Sequence, residues 1–418
     1  MQSIEGLRAL AIILVFFNHA NAFIPVVNRA TLSVKLYVSQ GWIGVDLFFV
    51  ISGFLITGIL IDTREAKNYF SGFYARRILR IFPLYYTVLT GVIVLGQVLV
   101  YLHVPRGDVF ASLTPLPSDR WTFYCFLTNW IGLWKAQWDA SFGSILAHFW
   151  SLAVEEQFYF FWPLVVWLVR PRWVPWIAGV LATFSFVIRL FFVLHIGVDN
   201  FVAPVAVKVQ LATICRLDGL FVGAICAYLY RNQELMKRIR PWLKWIGAIG
   251  AGSYFVVYSA MLFFPEKAVQ IIYGASKIPH DIGEASRLYM VAGGYSLMAL
   301  GFGAIVLLAA QSDGSGTLMQ RFLGSRVLAP VGKYSYGIYV FHVPLLGLIN
   351  VFLVPRVVIP SATDYVISSF AVLFLFAVVS FIIPALSYEF FEKPILMKKR
   401  YFEPKYSASE SELENCPS

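Results

Sequence analysis

The sequence predicts an all-α integral membrane protein, a bundle of about ten transmembrane helices with both termini in the cytoplasm. Three observations support this prediction. Of 418 residues, 59% are hydrophobic and only 13% are charged, whereas about a quarter of a soluble globular chain is charged. The apolar residues are gathered in runs long enough to cross the roughly 30 Å hydrocarbon core of a bilayer. The basic residues between these runs fall unequally on the two sides of the membrane.

Ten apolar runs reach the length of about 18 residues that a membrane-spanning helix needs. They lie near residues 7–26, 41–61, 81–103, 148–169, 173–195, 209–230, 242–264, 288–310, 334–354 and 364–386. A further run, from Trp121 to Trp134, has 14 residues and is too short to span. We interpret it as an interfacial or re-entrant segment of a long loop.

The basic residues give the orientation. With both termini inside, 21 Lys and Arg residues fall in inner segments, 10 fall in outer segments, and Arg189 and Arg216 lie within spans. This excess on the inner side favours an even number of spans in a multi-pass protein of the plasma membrane, which is the inner membrane of a bacterium. The net charge of +10 then reflects topology. The bilayer is the expected partner, and nucleic acid is not, because the chain has no basic domain.

One membrane domain is predicted over residues 1–400. Residues 401–418 are polar and acidic towards their end, so we expect a disordered cytoplasmic tail. The four cysteines, Cys125, Cys215, Cys226 and Cys416, include no CxxC pair and no His/Cys spacing typical of zinc sites. We therefore expect no metal site and no disulfide framework.

Several ionisable residues fall inside the predicted spans, where they are costly and are therefore candidates for function. From the span edges and a rise of 1.5 Å per residue, four of them share one level of the bilayer: His19, Asp46, Glu155 and Glu156. Other candidates are Arg216 and Asp218 in the sixth span and His342 in the ninth. A neutral histidine near carboxylates can act as a general base. The alternative is that these groups only bridge helices by hydrogen bonds.

The inner end of the third span carries a different chemistry. Arg76, Arg77 and Arg80 have helical spacings of three and four residues, which present paired guanidiniums on one face. Such pairs match phosphate oxygens. The alternative is a role in topology or in binding anionic lipids.

Seven blocks in order carry a family resemblance. Ile4–Arg8 is followed by ten residues and then His19. The other six blocks are Gly44–Leu55, Tyr74–Tyr86 with an Arg-x-x-Arg, His148–Tyr159, Arg216–Gly219, Tyr334–Leu345 and Phe391–Pro394. Together they resemble the acyltransferase-3 family of membrane O-acyltransferases, over residues 3 to about 395.

This resemblance implies transfer of an acyl group, commonly acetyl, from cytoplasmic acyl-CoA to a hydroxyl of a saccharide, lipid-linked glycan or macrolide-like acceptor, with no metal. His19 resembles the essential histidine of the family, Arg8 its motif partner, and Arg77 and Arg80 its donor-binding pair, beside which we also count Arg76. The resemblance extends to three positions whose roles are less settled: Asp46, Glu155 and Glu156. Some members carry a fused extracytoplasmic hydrolase-like domain that this sequence lacks, so we expect transfer to finish within the membrane domain.

The physical reading and the resemblance agree on a mechanism. Arginines at the inner rim would hold the CoA phosphates, and the pantetheine arm would bring the thioester towards His19, which would deprotonate the acceptor hydroxyl. Ser52 and Ser151 are candidate nucleophiles, so direct transfer and an acyl-enzyme both stay open.

Two other functions stay open at this point. A transporter or flippase of a polysaccharide or lipid-linked glycan would use Asp46, Glu155, Glu156 and His342 as a proton relay and would not need CoA. A structural subunit of an envelope-synthesis complex would need neither His19 nor Arg77. The sequence does not specify the acceptor or the acyl chain.

Overall fold

The computed structural model describes residues 1–131, 144–196, 209, 211–263, 289–354 and 362–406. Within these ranges the regular elements are helices and no strand is present, so the all-α prediction is confirmed. The α-helices, numbered in chain order, are α1 Gln2–Ala20, α2 Arg29–Val38, α3 Ile43–Asp62, α4 Tyr69–Tyr101, α5 Gly107–Ser112, α6 Arg120–Tyr124, α7 Trp150–Leu168, α8 Val174–Ile196, α9 Leu217–Arg231, α10 Gln233–Phe263, α11 Tyr295–Ser312, α12 Leu318–Leu323, α13 Leu328–Leu348, α14 Ala362–Ser387 and α15 Lys393–Leu396.

Seven helical segments of the described chain are long and apolar enough to cross a membrane. They are Gln2–Phe23, Arg29–Asp62, Tyr69–Tyr101, Pro171–His195, Met290–Ser312, Leu328–Leu353 and Thr363–Phe402. The other three predicted spans fall mainly in α7, α9 and α10. Helix α9 has only 15 residues, and α7 carries Glu155, Glu156 and Gln157 in its middle. The count of ten and the position of the termini stay predictions.

The run that begins at Trp121 is not one long helix. As far as residue 131 it forms the short helix α6, a left-handed turn at Phe126 and a 3-10 turn at Thr128–Trp130. The last three residues of that run lie outside the described ranges.

Glycines allow two pairs of helices to pack backbone against backbone. A Cβ atom on Gly53 of α3 would lie 1.9 Å from the carbonyl oxygen of Leu220 in α9, and one on Gly223 of α9 would lie 2.2 Å from that of Val50. A Cβ on Gly332 of α13 would lie 2.2 Å from the carbonyl oxygen of Glu5 in α1. Only a residue without Cβ permits these approaches. They join α3 to α9 and α1 to α13, and residues of α1, α3 and α13 line the site described below.

The chain returns to the start of α4 after α15. The side-chain amide of Asn68 donates to the carbonyl of Glu403 (2.8 Å), and the Lys405 amide donates to the Asn68 Oδ1 (2.8 Å). The Lys67 amide also donates to the Lys405 carbonyl at 2.8 Å. These hydrogen bonds anchor residues 403–405 to the start of α4, and the domain boundary at residue 400 stays a prediction. Residues 407–418 of the predicted tail lie outside the described ranges.

Candidate active site

A cavity of about 250 Å³ lies between α1, α3, α4, α7 and α13. Apolar side chains such as Val45, Phe48 and Ile81 form much of its wall. The polar groups that line it are Arg8, Ser52, Arg77, Arg80, Ser151, Glu155, Glu156, Tyr159, Ser335, Tyr336 and Tyr339. Five elements that are distant in sequence thus bring most of the predicted site residues to one place.

Three guanidinium groups face this cavity. Arg77 and Arg80 are one turn apart on α4, and Arg8 comes from α1. The Cζ of Arg77 lies 5.8 Å from the ring centroid of Phe73 and 5.7 Å from that of Tyr159. Among the described residues, none of the three arginines forms an ion pair with a carboxylate. Since an uncompensated charge beside an apolar wall is costly, the arrangement suits a bound anion.

The site continues into a smaller cavity of about 130 Å³. Arg8, Arg80 and Tyr336 line both spaces, and Lys333 and Glu392 line only the smaller one. The Lys333 ammonium is paired with Glu389 (2.7 Å). The two shared arginines therefore stand at the junction of the cavities.

Arg76 does not join the other two arginines of α4. Its guanidinium donates to the carbonyl oxygen of Phe402 in the returning C-terminal segment, and it does not line either cavity. Of the three predicted donor-binding arginines, Arg77 and Arg80 thus line the cavity, whereas the Arg76 guanidinium is bound by the C-terminal segment.

Glu155 belongs to a short chain of hydrogen bonds in the cavity wall. The Ser52 hydroxyl donates to Glu155 Oε1 at 2.8 Å, and the Tyr159 hydroxyl lies 2.8 Å from the Ser52 Oγ. An ionised carboxylate only accepts, so the single hydroxyl proton of Ser52 points at Glu155 and Tyr159 donates to Ser52. Glu156 lines the cavity without a hydrogen-bond partner in the described chain.

Three histidines cluster beside the cavity. The ring centroids of His19 and His342 are 4.9 Å apart, those of His148 and His342 5.1 Å, and those of His19 and His148 6.5 Å. Tyr339 stands between the cluster and the cavity: its ring centroid is 5.6 Å from that of His342 and 5.4 Å from that of His148. Its hydroxyl donates to the His148 carbonyl (2.8 Å) and lies 2.6 Å from the Ser151 Oγ. His19 is therefore close to the cavity but not part of its wall.

The hydrogen bonds of His19 define which ring nitrogen is basic. Its Nδ1 lies 2.9 Å from the Val15 carbonyl oxygen. A carbonyl only accepts, so we infer that Nδ1 carries the proton and that Nε2 of the neutral ring keeps the lone pair. Nε2 is the nitrogen that can remove a proton from a substrate.

Asp46, Arg216 and Asp218 lie outside both cavities, in a buried ion-pair network. Arg216 donates to Asp46 Oδ1 at 2.7 Å, and Arg189 donates to Asp218 Oδ2 at 2.7 Å. The Tyr295 ring connects the two pairs, because its centroid is 3.9 Å from Arg216 Cζ and 5.6 Å from Arg189 Cζ. Asp46 thus shares a predicted depth with His19 and Glu155 but contacts neither, since depth does not fix the rotation of a helix.

Comparison with known proteins identifies the family. The profile of the acyltransferase domain matches residues 1–389. The chain belongs to this acyltransferase family. The O-acetyltransferase OatA of Staphylococcus aureus (strain NCTC 8325 / PS 47) is 27% identical over 409 residues, which cover 95% of this chain and 57% of that protein. The putative O-acetyltransferase SAS0844 of S. aureus (strain MSSA476) is 26% identical over 411 residues, covering 94% of this chain and 57% of its own length. No solved structure matches.

The predicted family, with its membrane acyltransferase character, is therefore confirmed. The chain spans 57% of the length of these curated relatives. Apolar helices and acyltransferase relatives together identify a multi-pass membrane protein. The matched region includes the arginines that line the two cavities and the three clustered histidines. It ends before Phe402, whose carbonyl accepts a hydrogen bond from Arg76.

His148 was not among the predicted site residues, although this histidine is the first residue of the motif block His148–Tyr159. The side chain is buried, with 6% of its surface exposed, and neither ring nitrogen has a hydrogen-bond partner among the described residues. His148 lies seven residues, or about two helical turns, before Glu155, and this spacing could have identified it. Arg189 was noted within a span but was not selected either, and it completes the ion-pair network.

Proposed function

We propose that this acyltransferase moves an acetyl group from acetyl-CoA to a hydroxyl of a carbohydrate or similar acceptor, with His19 as the general base. The observation that carries the proposal is the arrangement of three unpaired guanidiniums in a cavity that adjoins a histidine with a free Nε2. The printed names of the relatives support an acetyl group and an oxygen acceptor.

The arginines are suited to the phosphates of the donor. A guanidinium presents two parallel N–H groups to phosphate oxygens, and such charge-assisted bonds are about twice as strong as neutral ones. Arg8 and Arg80 at the junction of the two cavities, together with Arg77 in the larger one, would receive the CoA phosphates. The apolar wall near Val45, Phe48 and Ile81 would cover the pantetheine arm. In a bacterial inner membrane this end of the bundle would face the cytoplasm, where acyl-CoA is available.

Helix α1 connects the two ends of the proposed site. Arg8 and His19 are 11 residues apart on one uninterrupted helix, which separates them by about 16 Å along its axis. Eleven steps of about 100° make three turns and a further 20°, so both side chains lie on the same face. An extended pantetheine arm, with its two amides and several methylene groups, can cross this distance and present the thioester near His19.

The proposed chemistry is a direct acyl transfer. His19 Nε2 accepts the proton of the acceptor hydroxyl while the oxygen attacks the thioester carbonyl carbon. The new C–O bond forms, the C–S bond breaks, and the departing thiolate takes the proton back from Nε2. Since the site lies among apolar helices, hydrogen-bond donors that face the developing oxyanion act in a medium of low dielectric constant. The buried His148 ring, which has no hydrogen-bond partner among the described residues and lies 6.5 Å from the His19 ring, is a candidate for such a donor.

Donor binding tests the proposal. We expect purified wild-type protein to bind acetyl-CoA saturably, as measured by calorimetry in detergent. Arg77→Ala and Arg80→Ala should each weaken binding about 10- to 100-fold, because each removes a hydrogen bond to a charged group worth about 1.5–3 kcal/mol. Arg76→Ala is the matched control, since it removes the neighbouring arginine that lies outside the cavity.

The role of His19 needs a separate readout. His19→Ala should bind acetyl-CoA like the wild type but should transfer the labelled acetyl group to envelope carbohydrate only at a slow residual rate. If folded wild-type protein binds no acetyl-CoA, or if Arg76→Ala weakens binding as much as Arg77→Ala, the donor site is wrong. The first of these results would favour a transporter.

A further inference from the structure

His342 has an environment that fixes its protonation. It lies on α13 and is fully buried. Its Nδ1 lies 2.7 Å from the Tyr339 carbonyl oxygen and 3.0 Å from that of Ile338. Both oxygens only accept, so Nδ1 of His342 carries a proton. In the neutral ring Nε2 then has only a lone pair to offer.

That lone pair faces His19. The His342 Nε2 is 3.3 Å from the His19 Nδ1, the nitrogen whose proton also points at the Val15 carbonyl (2.9 Å). Val15 is on the same helix as His19, so its carbonyl orients the His19 ring relative to α1. His342 comes from α13 and ties the ring to a second helix. The backbone contact of Gly332 with α1 holds the two helices together.

No carboxylate takes this position in the described chain. In a Ser-His-Asp triad, a carboxylate accepts the Nδ1 proton of the base and stabilises the imidazolium that forms. Here the nearest candidate by predicted depth, Asp46, is paired with Arg216. A neutral imidazole on Nδ1 makes the same hydrogen bond without the desolvation cost of a second buried charge.

We propose that His342 is a positioning residue for acyl transfer: it accepts the Nδ1 proton of His19, directs Nε2 to the acceptor hydroxyl and stabilises the imidazolium. This inference rests on the proposed role of His19 as the base. It assigns a function to the fixed chain of hydrogen bonds that runs from the Tyr339 carbonyl through both rings to the free Nε2.

The test compares two replacements of His342. Leu fills the space without an acceptor, whereas Gln keeps an acceptor oxygen close to the original Nε2. We expect His342→Leu to lower kcat about 10- to 100-fold, the effect of losing a hydrogen bond to a charged group, with the acetyl-CoA Kd and KM unchanged. His342→Gln should recover most of the loss. A residue that only packs would lower the yield of folded protein and would not discriminate between Gln and Leu.

The coupling with His19 completes the test. The double variant His19→Ala/His342→Leu should be no slower than His19→Ala, because His342 acts only through His19. Nitrogen-15 solid-state NMR should show a correlation between His19 Nδ1 and His342 Nε2, independently of activity. Wild-type kcat in His342→Leu, an additive double variant, or the absence of this correlation would overturn the proposal. Full activity in His19→Ala would instead overturn the proposed function together with it.

Discussion

Two groups of arginines occupy the same bundle and differ in their burial and in their partners. Arg189 and Arg216 are 0% and 1% exposed, and each is 2.7 Å from an aspartate oxygen. Arg8, Arg77 and Arg80 are half-buried around a cavity and pair with no carboxylate in the described chain. The comparison shows two arrangements of charge within one helical bundle. Paired arginines connect helices, whereas unpaired arginines beside a cavity are suited to binding an anion.

Breaking a pair should have the largest effect. We expect Arg216→Met to lower the free energy of unfolding by about 3–5 kcal/mol, because Asp46 is left as an uncompensated buried charge. Thermal unfolding in detergent measures the change. The double variant Asp46→Leu/Arg216→Met removes both charges and should recover at least half of the loss. If the double variant is less stable than the single one, the network has a role beyond connecting helices.

Ser52→Ala should have an intermediate effect, and it tests how the acyl group travels. The variant loses the hydrogen bonds with Glu155 and Tyr159, so we expect acetyl transfer to fall about five- to tenfold, consistent with about 1–1.5 kcal/mol. Measured turnover and intact-protein mass spectrometry check this. Complete loss of transfer, with an acetylated Ser52 in the wild type, would replace direct transfer by an acyl-enzyme.

Arg76→Ala should have the smallest effect. The side chain donates to the Phe402 carbonyl at the surface, so its removal should cost no more than about 1 kcal/mol of stability. Acetyl-CoA binding should stay within twofold of the wild type by calorimetry. Substantially weaker binding would show that the C-terminal segment shapes the donor site and would remove the contrast with Arg77.

The sequence predicted most of the contacts that depend on spacing along one helix. Arg77 and Arg80 are one turn apart, and both line the cavity. Arg8 and His19 share a face of α1, so one lines the cavity and the other adjoins it. Apolar run length likewise predicted the helices, because a bilayer requires about 20 apolar residues in each.

What depends on the rotation of one helix against another was not predicted. Equal depth grouped Asp46 with His19, although Asp46 turns towards Arg216, the residue that precedes α9. The contact between His19 and His342 joins helices more than 300 positions apart, and no periodicity encodes it. Arg76 was grouped with its neighbours because the C-terminal segment that binds it could not be located from the sequence.

The glycine contact between α3 and α9 has a consequence for enzyme engineering. Gly53 follows Ser52, so the α3 side of the cavity is locked to α9 by backbone atoms that cannot move apart without losing their packing. Space for a longer acyl chain therefore cannot be gained by moving α3 away from α9. Variants designed to accept larger donors should instead shorten side chains that line the cavity, such as Ile81 of α4 and Tyr336 of α13.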